Sequence, residues 1–282
     1  MARVWDHQGV LNDATDAYTH GHEDAVLRSH RWRTAANSAA YLLPQLRPGM
    51  ALLDVGCGPG TLTTDLARHV APGPVVGVDP SEGVVAEAER HARDARASNA
   101  SFLVADLRSA GLPPGSFDVV HAHQVLQHLR DPVGALRVMR RLAKPGGLVA
   151  ARDSDYPAFA WTSHRGTGAS LDRWRDIYLA VTRINGASAD AGRHLLAWAH
   201  EAGLADVAYS TSTWTFATAE DRAWWAHLWA ERTTSSSFAR QAVDYGVASP
   251  AELDAVARGW REWGDLADQV FIVVHGEIVA RV

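Results

Sequence analysis

Gly56, Gly58 and Gly60 alternate with Cys57 and Pro59 in the run Leu53-Asp54-Val55-Gly56-Cys57-Gly58-Pro59-Gly60-Thr61. A glycine turn between a strand and a helix lets the main chain approach a ligand with no Cβ in the way. The spacing departs from the Gly-x-Gly-x-x-Gly pattern of dinucleotide sites, and Pro59 removes an N–H that a pyrophosphate would use, so the turn suits a ligand without one. Asp79 and Asp106 each close a strand-like run further on. A carboxylate in the first position accepts hydrogen bonds from ribose hydroxyls. In the second it accepts from an adenine amino group, with the N–H of Leu107 serving a ring nitrogen. A single such Asp reads better as a helix N-cap or turn residue. The glycine turn and two acids at successive strand ends read better as one nucleoside-binding edge.

The elements that must carry these residues alternate. Ala51–Val55, Val75–Asp79, Phe102–Asp106, Phe117–Ala122 and Leu148–Arg152 are short apolar runs of the kind found in buried parallel strands. Helical stretches separate them: 61–70, 81–97, a segment through Val125, Leu126 and Leu129, and 134–143. Residues 25–44 fit a continuous helix. This rhythm predicts an α/β fold with a doubly wound, Rossmann-like sheet. After residue 153 it breaks. A helix centred on Trp174 and Tyr178 and another over 192–202 precede a long strand, 207–216. Two or three helices over 219–264 then separate that strand from a last one, 270–279. Thr233–Ser237 reads as a mobile loop.

At this point the chain resembles the class I S-adenosylmethionine-dependent methyltransferases, in particular the ubiquinone/menaquinone-biosynthesis type. Asp54–Gly60 matches the family's first motif, Asp79 its ribose-binding acid and Asp106 its adenine-binding acid. Phe117-Asp118-Val119-Val120 matches the fourth strand, and Leu142–Gly147 the turn before the fifth. The resemblance runs from about residue 47 to 153. It implies a seven-stranded sheet with an N-terminal helical cap (1–46), a cofactor-binding core (47–153) and a C-terminal part (154–282) whose helical insertion before the last strand covers the substrate. S-adenosyl-L-methionine is the implied cofactor, contacted by Tyr18, Arg33, Asp54, Gly56, Cys57, Gly58, Gly60, Asp79, Pro80, Asp106, Leu107, His123, Gln124 and His128. Arg33 is placed to pair with the methionine carboxylate, and His128 to point at the transferred methyl. For Tyr18 and Arg33, helix packing and a surface ion pair are the alternative. No metal is implied.

Methyl transfer needs a general base only when the acceptor must lose a proton. His123 and His128 are the candidates, with Asp153 and Tyr156 beyond the fifth strand. A structural hydrogen bond for His128 and a cap or loop role for Asp153 are the alternatives. Cys57, the one cysteine, reads as packing rather than as a nucleophile.

Composition narrows the partners. The net charge of −5 argues against a nucleic-acid enzyme, as does the lack of an Asn/Asp-Pro-Pro-aromatic tetrapeptide where the chain has His121-Ala122-His123-Gln124. The basic cluster Arg137, Arg140, Arg141 and Lys144 reads as a solvated helix face. No apolar run is long enough for a membrane span and no signal peptide is visible, so a cytoplasmic protein is expected. A homodimer is left open. Eleven tryptophans, most of them after residue 160, fit either an aromatic pocket or a well-filled helical core. The expected acceptor is a small apolar or aromatic molecule with an oxygen, nitrogen or carbon nucleophile, in secondary metabolism. Trp161, Trp229, Tyr156, His20, His123 and His128 are expected around it. Two readings compete: a nicotinamide-dependent oxidoreductase, and an enzyme of this fold that uses bound S-adenosylmethionine for another reaction such as cyclisation.

Overall fold

The structure, a computed structural model, describes residue 19 and residues 29–163, 166 and 168–282. Tyr18 and His20 lie outside the described residues, as does most of the expected N-terminal cap. What is described of that segment is not one helix. Residues 29–31 are helical, and a new helix α1 (Ala35–Ser38) starts at Thr34. Thr34 accepts from the Asn37 N–H while the Asn37 side chain accepts from the Thr34 N–H. This reciprocal cap is a start signal strong enough to interrupt the apolar periodicity.

Five parallel strands follow: β1 (Leu52–Val55), β2 (Val75–Asp79), β3 (Ala100–Val104), β4 (Phe117–His123) and β5 (Ala143–Ser154). The helices α2 (Thr61–Val70), α3 (Glu82–Asp94) and α4 (Pro132–Leu142) link them. All four residues of β1 are buried, as expected of a strand covered on both faces. α4 starts where Asp131 accepts from the Gly134 N–H at 2.7 Å, with Pro132 in the first turn, and Arg140 and Arg141 sit in its last turn. β3 begins and ends two residues before the predicted run. The segment after β4 is a single 3-10 turn, Leu126–His128, rather than a helix.

The remaining elements are β6 (Ala160–Trp161), α5 (Gly168–Asn185), α6 (Ala191–Glu201), β7 (Asp206–Phe216), α7 (Ala219–Ser235), α8 (Ser237–Asp244), α9 (Pro250–Asp265) and β8 (Phe271–Arg281). The sheet order is β3-β2-β1-β4-β5-β8, with β7 on the free edge of β8. The two-residue β6 continues along β8 past the end of β5, making eight strands where seven were expected. β8 is antiparallel to both β5 and β7. Thr233–Ser237 is not a loop: it ends α7 and begins α8, and the Ser236 hydroxyl accepts from the Ala239 N–H.

Ser154 pairs with His275, and Phe216 with Phe271. The insertion α7–α9 therefore leaves and re-enters the sheet at the carboxyl ends of the parallel strands. There α5, α7, α8 and α9 enclose an aromatic core in which Trp174, Trp229, Trp260 and Trp263 are fully buried. Most of the tryptophans thus serve as core. Trp161, expected in the pocket, instead stacks on Phe271 at 5.4 Å, with the Arg175 guanidinium 4.7 Å from its ring centre.

Side chains alternate along β5, which decides the role of three of them. Arg152 and Ser154 share one face. Arg152 donates to Glu277 at 3.0 Å and to His275 at 2.9 Å, and both members of the Arg152–Glu277 pair are buried. Asp153 faces the other way and accepts from the Gln127 N–H at 3.1 Å. It caps the 3-10 turn that carries His128, and burial pushes its carboxyl up to about 7. Its side chain lines neither of the cavities described below, so the expectation that Asp153 is a general base is corrected: it is a positioning residue.

Two outcomes follow. Glu277→Ala leaves a buried guanidinium without its carboxylate and should cost about 3–5 kcal/mol in urea unfolding, most of it recovered when Arg152 is also replaced by Met. Asp153 is protonated in the folded chain up to about pH 7 but ionises near pH 4 when unfolded. The wild-type chain should therefore lose stability as pH rises between those values, by up to about 1.4 kcal/mol per pH unit. Asp153→Asn should remove that slope; an unchanged slope would show that Asp153 ionises freely.

Candidate active site

The sheet order reverses between β1 and β4, and the crevice outside their carboxyl ends is the place where open α/β sheets bind ligands. The glycine turn opens into it. Gly56, Gly58 and Gly60 all have positive φ, at 65°, 54° and 78°. A Cβ on Gly56 would stand 2.5 Å from Val125 Cγ2, so only glycine lets β1 turn beneath the segment after β4. A Cβ on Gly58 would meet only His30 Nδ1, at an ordinary 3.6 Å. The turn is held from below by Asp54, which is buried and accepts from Thr63 of α2 and, at 2.8 Å, lies against His121 Nδ1 of β4. Both Asp54 oxygens are thus engaged within the protein.

A cavity of about 530 Å³ fills the crevice, within the range of small-molecule and cofactor sites. Of the predicted cofactor residues that are described, Arg33, Asp54, Gly56, Cys57, Gly58, Asp79, Pro80, Asp106, Leu107, His123, Gln124 and His128 line it, and Gly60 does not. Asp79 accepts from the N–H groups of Gly58 and Ser81, which fixes its carboxylate at the mouth of the turn. Asp106 lies two residues beyond β3, half exposed, and accepts from the Arg108 N–H. Cys57 is buried and its thiol is pushed far up by burial, which agrees with packing rather than nucleophilic chemistry.

The residues around such a ligand also have groups to give it. His123 is 4% exposed, lines the cavity, and neither ring nitrogen has a hydrogen-bond partner among the described residues. Such an orphan inside a cavity calls for a ligand or water. With the glycine cradle and the two acids, the donor and acceptor set fits a nucleoside bearing an amino-acid tail.

A second, smaller cavity of about 30 Å³ adjoins the first. His30, Arg33, Gln124 and His128 line both, so they form the wall between them. Its other sides are Ser29, Ser154, Tyr156, Phe159, Trp214, Val273 and, from α7, Trp225, Trp229 and Arg232. Gln124 has a positive φ of 54° and ties this wall together: it accepts from Arg33 and contacts Ser154 and His275 at 2.8 and 2.9 Å. Tyr156 stacks between Phe159 and Tyr178, and burial raises its phenol.

His123 and His128 are held toward the neutral form. Burial, then the nearby Arg33 and Arg152, hold His123 well below its usual range, and burial with Arg33 pushes His128 down to about 3. Ser154 N–H donates to Gln127 Oε1, which leaves the Gln127 amide nitrogen facing His128 Nε2 at 3.1 Å. Nε2 therefore accepts, and Nδ1 is the N–H side of the ring. The sequence had not pointed to Ser154, Trp214, His275 or Arg232. Only Arg232 left a trace, since Trp225, Trp229 and Arg232 recur at helical spacing.

The comparisons with known proteins agree with this geometry. A family described as a methyltransferase domain matches residues 46–186. An uncharacterised methyltransferase of Schizosaccharomyces pombe is 32% identical over 280 residues, covering 93% of this chain and 95% of its own. The ubiquinone biosynthesis O-methyltransferase of Methylococcus capsulatus is 40% identical over 101 residues, 36% of this chain and 42% of its own. In fold, the chain is similar to the YcgJ protein of Bacillus, with a TM-score of 0.55 at 18% identity over 86% of this chain and 96% of that one. A glycine cradle, two strand-end acids and a matched family domain lead to one conclusion: the chain belongs to the S-adenosylmethionine-dependent methyltransferases.

Proposed function

We propose that the protein transfers a methyl group to an oxygen, nitrogen or carbon nucleophile of a small, largely apolar or aromatic molecule, and that α7–α9 form the lid over that molecule. The observation that carries this reading is the smaller aromatic cavity behind the wall of His30, Arg33, Gln124 and His128, against the cofactor cavity. S-adenosylmethionine supplies an electrophilic methyl on a sulfonium. The chain itself binds, orients and excludes water. In this reading Asp79 takes the ribose hydroxyls, Asp106 and the Leu107 N–H the adenine edge, and His123 and Arg33 the amino-acid tail. Asp54 serves by holding the turn. Trp214, Trp225, Trp229, Phe159 and Tyr156 keep the acceptor in a dry aromatic slot.

Proton removal by the protein is not part of this reading. A base works best with a pKa near the working pH. His128 lies far below it and already accepts through Nε2, His123 is held low as well, and Tyr156 keeps its proton. Alignment carries the catalysis, with His128 offering an N–H to the acceptor side.

Calorimetry should find S-adenosylhomocysteine bound in the micromolar range and NAD not bound. Asp79→Ala should weaken that affinity by roughly 2–4 kcal/mol, the worth of two charge-assisted hydrogen bonds partly replaced by water. Unchanged affinity would move the ribose acid elsewhere. Once an acceptor is in hand, kcat/KM should show no histidine limb near pH 6.5, and His128→Gln should lower turnover without reshaping the pH profile. A limb at pH 6–7 that disappears in that variant would make His128 a general base and sink alignment as the whole mechanism.

A further inference from the structure

Trp214 is an indole set among polar neighbours. Strand alternation puts it on one face of β7 with Ser212 and Phe216. Ser212 accepts from Arg152 Nε at 3.1 Å, and the Arg152 guanidinium lies 4.9 Å from the Trp214 ring centre. Trp214 is 6% exposed. A buried indole needs an acceptor for its one N–H. Trp214 finds it outside the sheet, in the Asn37 carbonyl of α1 at 2.6 Å. Its ring also meets Trp32 edge-on, with centres 5.1 Å apart and planes at 89°. Trp32 and Asn37 flank Arg33 in the chain. One side chain of β7 therefore grips the segment that carries Arg33 on both sides of it. The Arg33 guanidinium itself stands 6.0 Å from the ring centre, at the outer limit of a cation–π contact.

The same ring reaches the end of β4. His123 lies 5.7 Å from it, centre to centre, and His275, which contacts Gln124, lies at 4.5 Å. Arg33 and His123 both line the larger cavity, whereas Trp214 lines the smaller one alone. In the reading given above, these two residues take the amino-acid tail of the cofactor. A guanidinium suits the tail's carboxylate, and a neutral imidazole nitrogen accepts from its ammonium. The glycine turn, Asp79 and Asp106 serve the nucleoside end. Among the described residues, Trp214 bonds and stacks with none of these. We infer that Trp214 is the positioning residue of the tail end of the cofactor site, setting Arg33 and His123 at the spacing an α-amino acid requires without touching the cofactor itself. This rests on the methyltransferase reading of the site and adds to it the residue through which a ligand with an amino-acid tail is selected. An indole suits the task because it offers a face to a cation and an N–H to a backbone carbonyl at once.

The test compares two ligands of the full chain by calorimetry. One is S-adenosylhomocysteine; the other is 5′-methylthioadenosine, which keeps the nucleoside and its sulfur but has no amino-acid tail. The wild type should bind S-adenosylhomocysteine about tenfold tighter or more, as expected for at least one charge-assisted hydrogen bond. Trp214→Leu should remove most of that preference. Its affinity for 5′-methylthioadenosine should stay within twofold of wild type, which also reports that the variant folds. Trp214→Phe keeps a ring and drops the bond to Asn37, so it should lose part of the preference. Arg33→Met should lose it too, and adding Trp214→Leu to Arg33→Met should cost less than Trp214→Leu does alone, because the two act on a shared contact. Should Trp214→Leu unfold, Trp214→Phe decides, alone and combined with Arg33→Met. Equal losses for both ligands, a preference that survives, or fully additive losses would overturn the inference. Failure of the wild type to bind either ligand, or to prefer S-adenosylhomocysteine, would instead overturn the functional reading beneath it.

Discussion

The buried carboxylate of Asp54 is the joint on which the rest of the site depends. It sits one residue before the end of β1, accepts from the Thr63 hydroxyl of α2, and meets the His121 ring of β4. Three elements that diverge at the switch point are therefore fixed to one another just under the glycine turn. The turn can then leave its backbone exposed to the crevice, since its own geometry is set from behind. Asp79 repeats the device one strand further on, where it holds Gly58 and Ser81. Main-chain amides and strand-end acids converge on one volume because each is anchored by a neighbour other than the ligand.

A second polar assembly holds the opposite side. Arg152, Glu277 and His275 lie between β5 and β8, with Ser210 and Ser212 of β7 on Glu277. Trp214 covers this group, with the Arg152 guanidinium 4.9 Å from its ring centre. His275 reaches Gln124, and Gln124 reaches Arg33. The wall between the two cavities is thus the surface end of a chain of contacts that starts in the middle of the antiparallel strands. A charge buried this deeply is tolerated because Nε and Nη2 of Arg152 are engaged by Ser212, Glu277 and His275.

The parallel half was legible in the sequence because its signals are local. The glycine turn, Asp79 and Asp106 each lie within a few residues of the strand end they mark, and the structure brings all three to one crevice. The C-terminal half was legible only as a sequence of elements. Whether Trp161 or Trp214 faces the cavity depends on which strand ends meet, and that is decided by pairing with a strand that begins only at Phe271. Asp153 misled for a simpler reason: the next residue, Ser154, lines the smaller cavity, and strand alternation turns Asp153 the other way. The helix expected over 25–44 failed where a capping box at Thr34 outweighed an apolar repeat. The serine- and threonine-rich stretch at 233–237 looked like a loop, yet its hydroxyls bond back to the helix carbonyls of Trp229 and Arg232.

The smaller cavity, at about 30 Å³, holds little more than a single water molecule. An organic acceptor cannot enter it as it stands. Its outer wall is α7, a helix whose neighbours are themselves helices of the same insertion and which is tied to the sheet at Phe216 and Phe271. On the function proposed above, admission of the acceptor and departure of the methylated product would both require that wall to yield.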